Sequence, residues 1–275
     1  MDKKVYALID SYAEEFAAHL AKWIRVPSVK DEPAPGAPFG AECRRMYDMA
    51  LADCKAEGFI VREFDGYALD ATLPGESDEA IAGLGHLDVV PAGDGWPMDP
   101  FGAVREGEKL YGRGTSDDKG PMLCAMYAMR AIKAAGIPLK KSIRLILGCD
   151  EESGWEDMGY YAEHVGLPEV GFSPDASFPL INTEKAMLPM NFTAPVAKDG
   201  LQVKKMFTGE RTNVIPGESK ALIEGGEEIA AAIAAYAEKT GLPYTARSPL
   251  TACGSPLMAS PDTAPIPKAA ETPSA

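Results

Sequence analysis

No apolar run in this chain approaches the roughly 20 residues that a membrane-spanning helix requires. The longest candidate, Ile229 to Ala237, is alanine-rich and fenced by Glu228 and Glu238. The opening MDKKVYALIDSYAEEF lacks both the apolar core and the small-residue cleavage site of a secretory signal, so export is not expected. Cations are short as well: 27 Lys and Arg face 41 Asp and Glu, for a formal net charge of -14. That balance argues against nucleic acid as a partner, because a broad footprint needs clustered Lys and Arg to displace counterions. The five cysteines, Cys43, Cys54, Cys124, Cys149 and Cys253, are odd in number, widely spaced and without a CxxC pair. They fit reduced thiols in a cytoplasm better than a disulfide framework. What is present, 46% hydrophobic and 25% charged residues, is ordinary for a soluble globular protein, expected here in the cytoplasm.

Periodicity then gives a series of elements. Val5, Leu8, Ile9, Tyr12, Phe16, Leu20 and Ile24 recur at three- and four-residue steps and predict one helix ended by Pro27. A second helix is predicted from about Glu42 to Glu57, with Gly58 as its stop. Phe59 to Phe64 and Ala68 to Leu73 read as strands joined by the turn Asp65-Gly66, and Ala80 to Leu84 as a short apolar strand running into His86. Met122 to Ala135 reads as a helix, with Ser142 to Leu147 and Val170 to Phe172 as strands. This alternation predicts an α/β architecture on a mostly parallel sheet. Past about Leu188 an apolar segment, the turn Pro216-Gly217 and a helix from about Gly226 to Lys239 read as the start of a second domain. The stretch from 242 to 275 is proline-rich without period and reads as a disordered or out-of-frame tail.

Four strings combine acids with histidine where a strand gives way to a loop: GHLDVVPAGDGW, YGRGTSDDKGP, GCDEESGWEDMG and FSPDASFP. Taken singly, each has a plain explanation. A His-x-Asp pair is usually a surface or capping pair. Asp-Asp-Lys-Gly before a helix can serve as an N-cap, and paired Glu after a strand is usually a solvated loop. Together they are more informative, because loops at the carboxyl ends of strands in an α/β sheet converge on one crevice. One imidazole with several hard oxygen donors suits zinc, with manganese and cobalt as alternatives, in a two-metal site.

In this order the four strings resemble the zinc metallopeptidase family that includes aminoacylase, carboxypeptidase G, carnosinase and succinyl-diaminopimelate desuccinylase, and within it the PepV type of bacterial dipeptidase. The resemblance runs from about Tyr6 to Ala235. It implies an α/β/α sandwich over residues 1–187, with its C-terminal part missing, followed by part of a smaller α+β lid over 188–241. It also implies two zinc ions. His86 resembles the histidine ligand of one, Asp175 completes that ion's set, Asp117 resembles the bridging carboxylate and Glu152 the ligand of the second ion. Asp88 resembles the acid that orients the imidazole, and Glu151 the general base. Asn213, in the string Arg211 to Pro216, resembles the residue that helps hold substrate. The Asp117-Asp118 peptide bond is expected to be cis. A small peptide with a free N-terminus is the implied substrate, with an N-acyl amino acid as the alternative, and the full-length form is expected to be a monomer.

The chain also departs from the family pattern. The family's last zinc ligand is a histidine far down the chain, whereas only His19, His86 and His164 occur here and neither His19 nor His164 is at that position. The family's lid histidine, in a Ser-Ala-His-Gly-like string, is absent in this frame. Read one base out of register, Ser255 to Ser274 permits SAHGITGHGTNPEGRRNAI, so a frameshift before Ser255 and a truncated product are expected. On that reading the second zinc lacks a ligand and turnover is impaired, or the chain is a non-catalytic remnant. Apolar surface on the sheet, covered in the family by the missing part, is expected to be exposed.

Overall fold

The N-terminal apolar period folds as two helices instead of one, α1 (Lys3–Ser11) and α2 (Ala13–Ile24). The break has a local cause. The Ser11 hydroxyl donates to the Leu8 carbonyl at 2.7 Å, the acceptor Tyr12 would use in a continuing helix, and the Tyr12 N–H turns to Ile9 at 3.0 Å. This computed structural model describes residues 2–177 and, beyond them, 181–183, 186, 188, 190–193, 202–208, 219–224, 227–242 and 244. The chain divides into two units, Met1–Thr183 and Glu184–Ala275.

In the first unit, α3 (Ala41–Ala56) ends before Gly58, whose φ of 68° provides the left-handed stop. Strands β1 (Ile60–Phe64) and β2 (Ala68–Leu73) follow. Of the three residues between them, Asp65 and Gly66 have positive φ, 47° and 82°, and the Tyr67 N–H closes the turn on the Phe64 carbonyl at 2.8 Å. Then come β3 (Ser77–His86), the small pair β4 (Val104–Glu106) and β5 (Lys109–Tyr111), α4 (Lys119–Ala135), β6 (Lys141–Gly148), α5 (Glu156–Val165) and β7 (Val170–Phe172).

The main sheet has the order β1-β2-β6-β3-β7 and is mixed, not mostly parallel. The tight hairpin forces β1 and β2 antiparallel, and β6 adds antiparallel to β2. Only β6-β3 and β3-β7 are parallel, and helices α4 and α5 lie on the chain between those strands. Strand alternation sorts the two faces. Leu69, Ala71, Leu145 and Leu147 point into a core with α2, α3 and α4, including Trp23, Ile24, Tyr47, Met122 and Met126. Ala68 and Ile146 point the other way, onto Met158 and Tyr161 of α5. Helices therefore cover both faces. On the α5 face the buried Asp70 accepts from Arg62 Nε at 3.0 Å and from the Tyr161 hydroxyl at 2.7 Å.

At the β7 edge apolar side chains are exposed: Val170 at 55%, Phe172 at 57% and Ile81 of β3 at 40%. In the second unit β8 (Gln202–Thr208) pairs antiparallel with β9 (Ser219–Glu224), and α6 (Glu227–Thr240) follows. Pro216-Gly217 and the stretch 245–275 fall outside the described residues. Among the described residues no helix is long and apolar enough to cross a membrane.

Candidate metal centre

Three of the four strings leave the carboxyl ends of the parallel strands. His86 is the last residue of β3 and lies in register with Gly148, the last of β6, which places the following Cys149-to-Glu152 loop beside Asp88. Asp175 follows β7 on the other side of β3. The fourth string does not leave the main sheet. It is the loop from the β4-β5 pair to α4, and its Asp117-Asp118 bond is cis.

His86 is 1% exposed. Its Nδ1 lies 3.0 Å from the Asp88 carbonyl, which can only accept, so Nδ1 carries a proton and Nε2 is the ring atom left for a metal. Nε2 faces carboxylate oxygens: Asp117 at 3.1 Å, Asp175 at 3.5 Å and Glu151 at 3.8 Å. The Asp88 carboxylate is 3.4 Å from Nδ1 and accepts the backbone N–H groups of Glu151 at 3.2 Å and Glu152 at 3.1 Å. Asp88 thus ties the imidazole to the loop that carries both glutamates.

Asp118 belongs to the cluster too, although the family resemblance gives a ligand role only to its neighbour Asp117. Its place before α4 suggested a helix cap, yet its side chain makes no capping bond. It is wholly buried; Oδ2 accepts the His86 backbone N–H at 3.3 Å, and Oδ1 has no partner among the described residues. His86, Asp118 and Asp175 offer donor atoms within 4.8 Å of one another, and so do His86, Asp117 and Glu152.

The electrostatics follow from so many carboxylates around one base. Burial works against charge on His86, but hydrogen bonds to Asp117, Asp175 and Asp88 outweigh it and hold the ring far above its ordinary pKa. Asp117 is held below the carboxylate range, chiefly by its bond to His86. Burial pushes Glu151 and Glu152 up, and the charges of Asp175 and Asp117 respectively add to it. Asp118, desolvated first of all by burial, is pushed up to about 7. Carboxylates converging on one imidazole nitrogen, beside an orphaned buried oxygen, form an arrangement that a cation satisfies. The donor set, one imidazole with hard oxygens, fits a divalent metal.

The other histidines lie elsewhere. His164 stacks on Tyr160 at 4.2 Å, and His19 bonds Asp53 at 2.8 Å between helices. Asn213 lies outside the described residues.

Comparison with known proteins places the chain in a family. The family described as Peptidase family M20/M25/M40 matches residues 83–264. The chain is 38% identical over 224 residues to YtjP of Bacillus subtilis (strain 168), covering 78% of this chain and 48% of that protein. It is 40% identical over 178 residues to the Beta-Ala-Xaa dipeptidase of Lactobacillus delbrueckii subsp. lactis, covering 64% and 38%. Human carnosine dipeptidase 1 superposes with a TM-score of 0.52 at 30% identity, over 59% of this chain and 37% of that one. The chain therefore spans about half the length, or less, of the curated relatives it matches. The chain belongs to peptidase family M20/M25/M40, a family of metallopeptidases.

Proposed function

We propose that this chain carries the two-metal site of a zinc-dependent dipeptidase that acts in the cytoplasm on short peptides with a free N-terminus. The observation that carries the reading is Nε2 of His86 facing Asp117, Asp175 and Glu151 within 3.8 Å. His86 and Asp175 would hold one ion, Glu152 the other, and Asp117 both. When bound, two such ions lower the pKa of a shared water towards neutrality and draw electron density from a carbonyl.

The remaining work falls to the chain's own residues. Glu151 takes the proton of the attacking water and returns it to the leaving amine, a task for a carboxylate that stands beside the metal ligands without being one. Asp88 keeps the Nδ1 proton of His86 in place and holds the backbone of Glu151 and Glu152. Asn213 would contact substrate. The names of the relatives, dipeptidases acting on Beta-Ala-Xaa and carnosine, support a small substrate of this kind.

The test is to strip the chain with chelator, titrate it with zinc, and assay a free-amine dipeptide against an N-acyl amino acid. One tightly held ion, a second held weakly for want of a histidine ligand, and slow but preferential dipeptide cleavage are expected. Preferential N-acyl cleavage would make the protein a deacylase. Binding of one ion or none, without hydrolysis, would make it a remnant and refute the reading.

A further inference from the structure

Each backbone N–H from Cys149 to Glu156 ends on one of three buried aspartates. Cys149 and Asp150 donate to Asp157 Oδ2 at 2.7 and 2.9 Å, and Glu151 and Glu152 donate to Asp88. Ser153, Gly154 and Trp155 donate to the Asp150 carbonyl at 3.4, 3.1 and 2.9 Å, and Glu156 donates to Asp150 Oδ2 at 3.1 Å. Asp88, Asp150 and Asp157 are each no more than 1% exposed. Lys30 is the counter-ion, with Nζ 2.7 Å from Asp150 Oδ1. Burying carboxylates is costly unless they are hydrogen-bonded, and these are spent on main-chain donors of a single loop. A second, independent sign is steric. A Cβ on Gly148 would lie 2.2 Å from Asp157 Oδ2, so the last residue of β6 must lack one for this carboxylate to reach the loop.

We propose that Asp157 is a positioning residue for the Glu151-Glu152 pair. It fixes the start of the loop at Cys149 and Asp150, as Asp88 fixes the two glutamates themselves. Asp157 touches neither the proposed metals nor substrate; it acts through backbone that it holds still. The proposal rests on the two-metal reading above, and the test separates the two.

The test is a Co2+ titration of the metal-stripped 275-residue chain and of Asp157→Asn, read by the visible absorption of the bound ion and by calorimetry, with near-UV circular dichroism to check folding. Asparagine has one oxygen for three N–H donors, those of Cys149 and Asp150 on Oδ2 and that of Met158 on Oδ1 at 2.7 Å, so either orientation turns its NH2 on a donor and loosens the loop's anchor. Co2+ affinity is therefore expected to fall about tenfold or more, the range for lost partners behind a metal ligand, with a changed absorption band. Tyr161→Phe, one turn along α5 and bonded to Asp70, is the control: it should lower stability and leave Co2+ binding unchanged. If Asp157→Asn fails to fold, Lys30→Met, at a side chain 29% exposed, unpairs Asp150 and should weaken binding in the same direction. Co2+ binding by folded Asp157→Asn with wild-type affinity and spectrum would overturn the proposal, as would a Tyr161→Phe loss equal to its own. So would unchanged binding by Lys30→Met where that variant is needed. Wild-type chain that takes up no Co2+ would instead overturn the metal site itself, and the proposal with it.

Discussion

Asp88→Asn separates the two ends of the site. The imidazole's nearest acceptor on the Nδ1 side is the Asp88 carbonyl, at 3.0 Å, and substitution leaves it in place. The side chain's own contact with Nδ1 is longer, 3.4 Å. The two N–H groups of Glu151 and Glu152, at 3.2 and 3.1 Å, meet a carboxylate that has an oxygen for each; asparagine has one oxygen and turns a donor on the other. Losing a hydrogen bond to a charged group costs about 1.5–3 kcal/mol, and the stranded N–H adds about 1–3 kcal/mol. Partial relaxation should leave a net loss of about 2–4 kcal/mol in the metal-free protein. The glutamate side of the metal site should suffer with it, about 10–100-fold in affinity. Urea unfolding of chelated protein measures the first quantity and zinc calorimetry the second. Unchanged zinc affinity in a folded Asp88→Asn protein would refute the claim that this carboxylate organises the loop.

Further expectations can be checked with the same preparations. Glu151→Gln should keep its zinc, by atomic absorption, and lose most dipeptide turnover; loss of the metal together with turnover would make Glu151 a ligand. Zinc at 100 times its dissociation constant should stabilise the wild-type chain by about 2.7 kcal/mol, and His86→Ala by much less, measured as a melting shift. Tyr161→Phe should cost about 1.5–3 kcal/mol by urea unfolding, because it removes a bond to the buried Asp70 carboxylate. Burial brings Lys119 down to about 7, so between there and the unfolded value near 10.4 the unfolded chain binds more protons. Lys119 should thus add a contribution to metal-free stability that rises across that window, by at most about 1.4 kcal/mol per pH unit, against the falling one from His86, which is held above its ordinary pKa; Lys119→Met should lower the net slope by that amount.

Much of the scaffold could be read from residue order because its signals are local. The Asp65-Gly66 turn, the Gly58 stop and the helix before Gly136 each follow from a backbone conformation that few residues adopt. What escaped the sequence reading was mostly set at a distance. The antiparallel half of the sheet depends on β2 choosing β6 across the chain, a pairing no local pattern encodes. β3 proved longer than Ala80 to Leu84 because its polar opening, Ser77 to Glu79, is exposed and carries no apolar signal. The β4-β5 pair went unread although Gly107, at φ 62°, marks its turn. In the site, His86, Asp88, Asp117, Glu151, Glu152 and Asp175 were named from their strings, and the structure gathers them at one edge. Asp118 stands in its string with the look of a helix cap, and Asp157 opens α5 (Glu156–Val165), a helix the sequence reading does not predict. Nothing short of the fold shows that they point inward.

Why the site sits where it does follows from register. His86 opposes Gly148 at the end of the parallel β3-β6 ladder, and a shift of one residue would turn each β3 side chain to the opposite face. His86 would then leave the carboxylates, and the apolar pattern of β3 would oppose the wrong core. Core packing and metal geometry are therefore fixed by the same pairing. Gly85 adds a second constraint, since a Cβ there would lie 2.0 Å from Asp118 Oδ2 and 2.3 Å from Met122 Sδ. Only a glycine lets the start of α4, and with it Asp117, come this close to the strand that carries His86. The Gly-His step thus does two separate jobs. The glycine sets how near the acids approach, and the histidine supplies the base they surround.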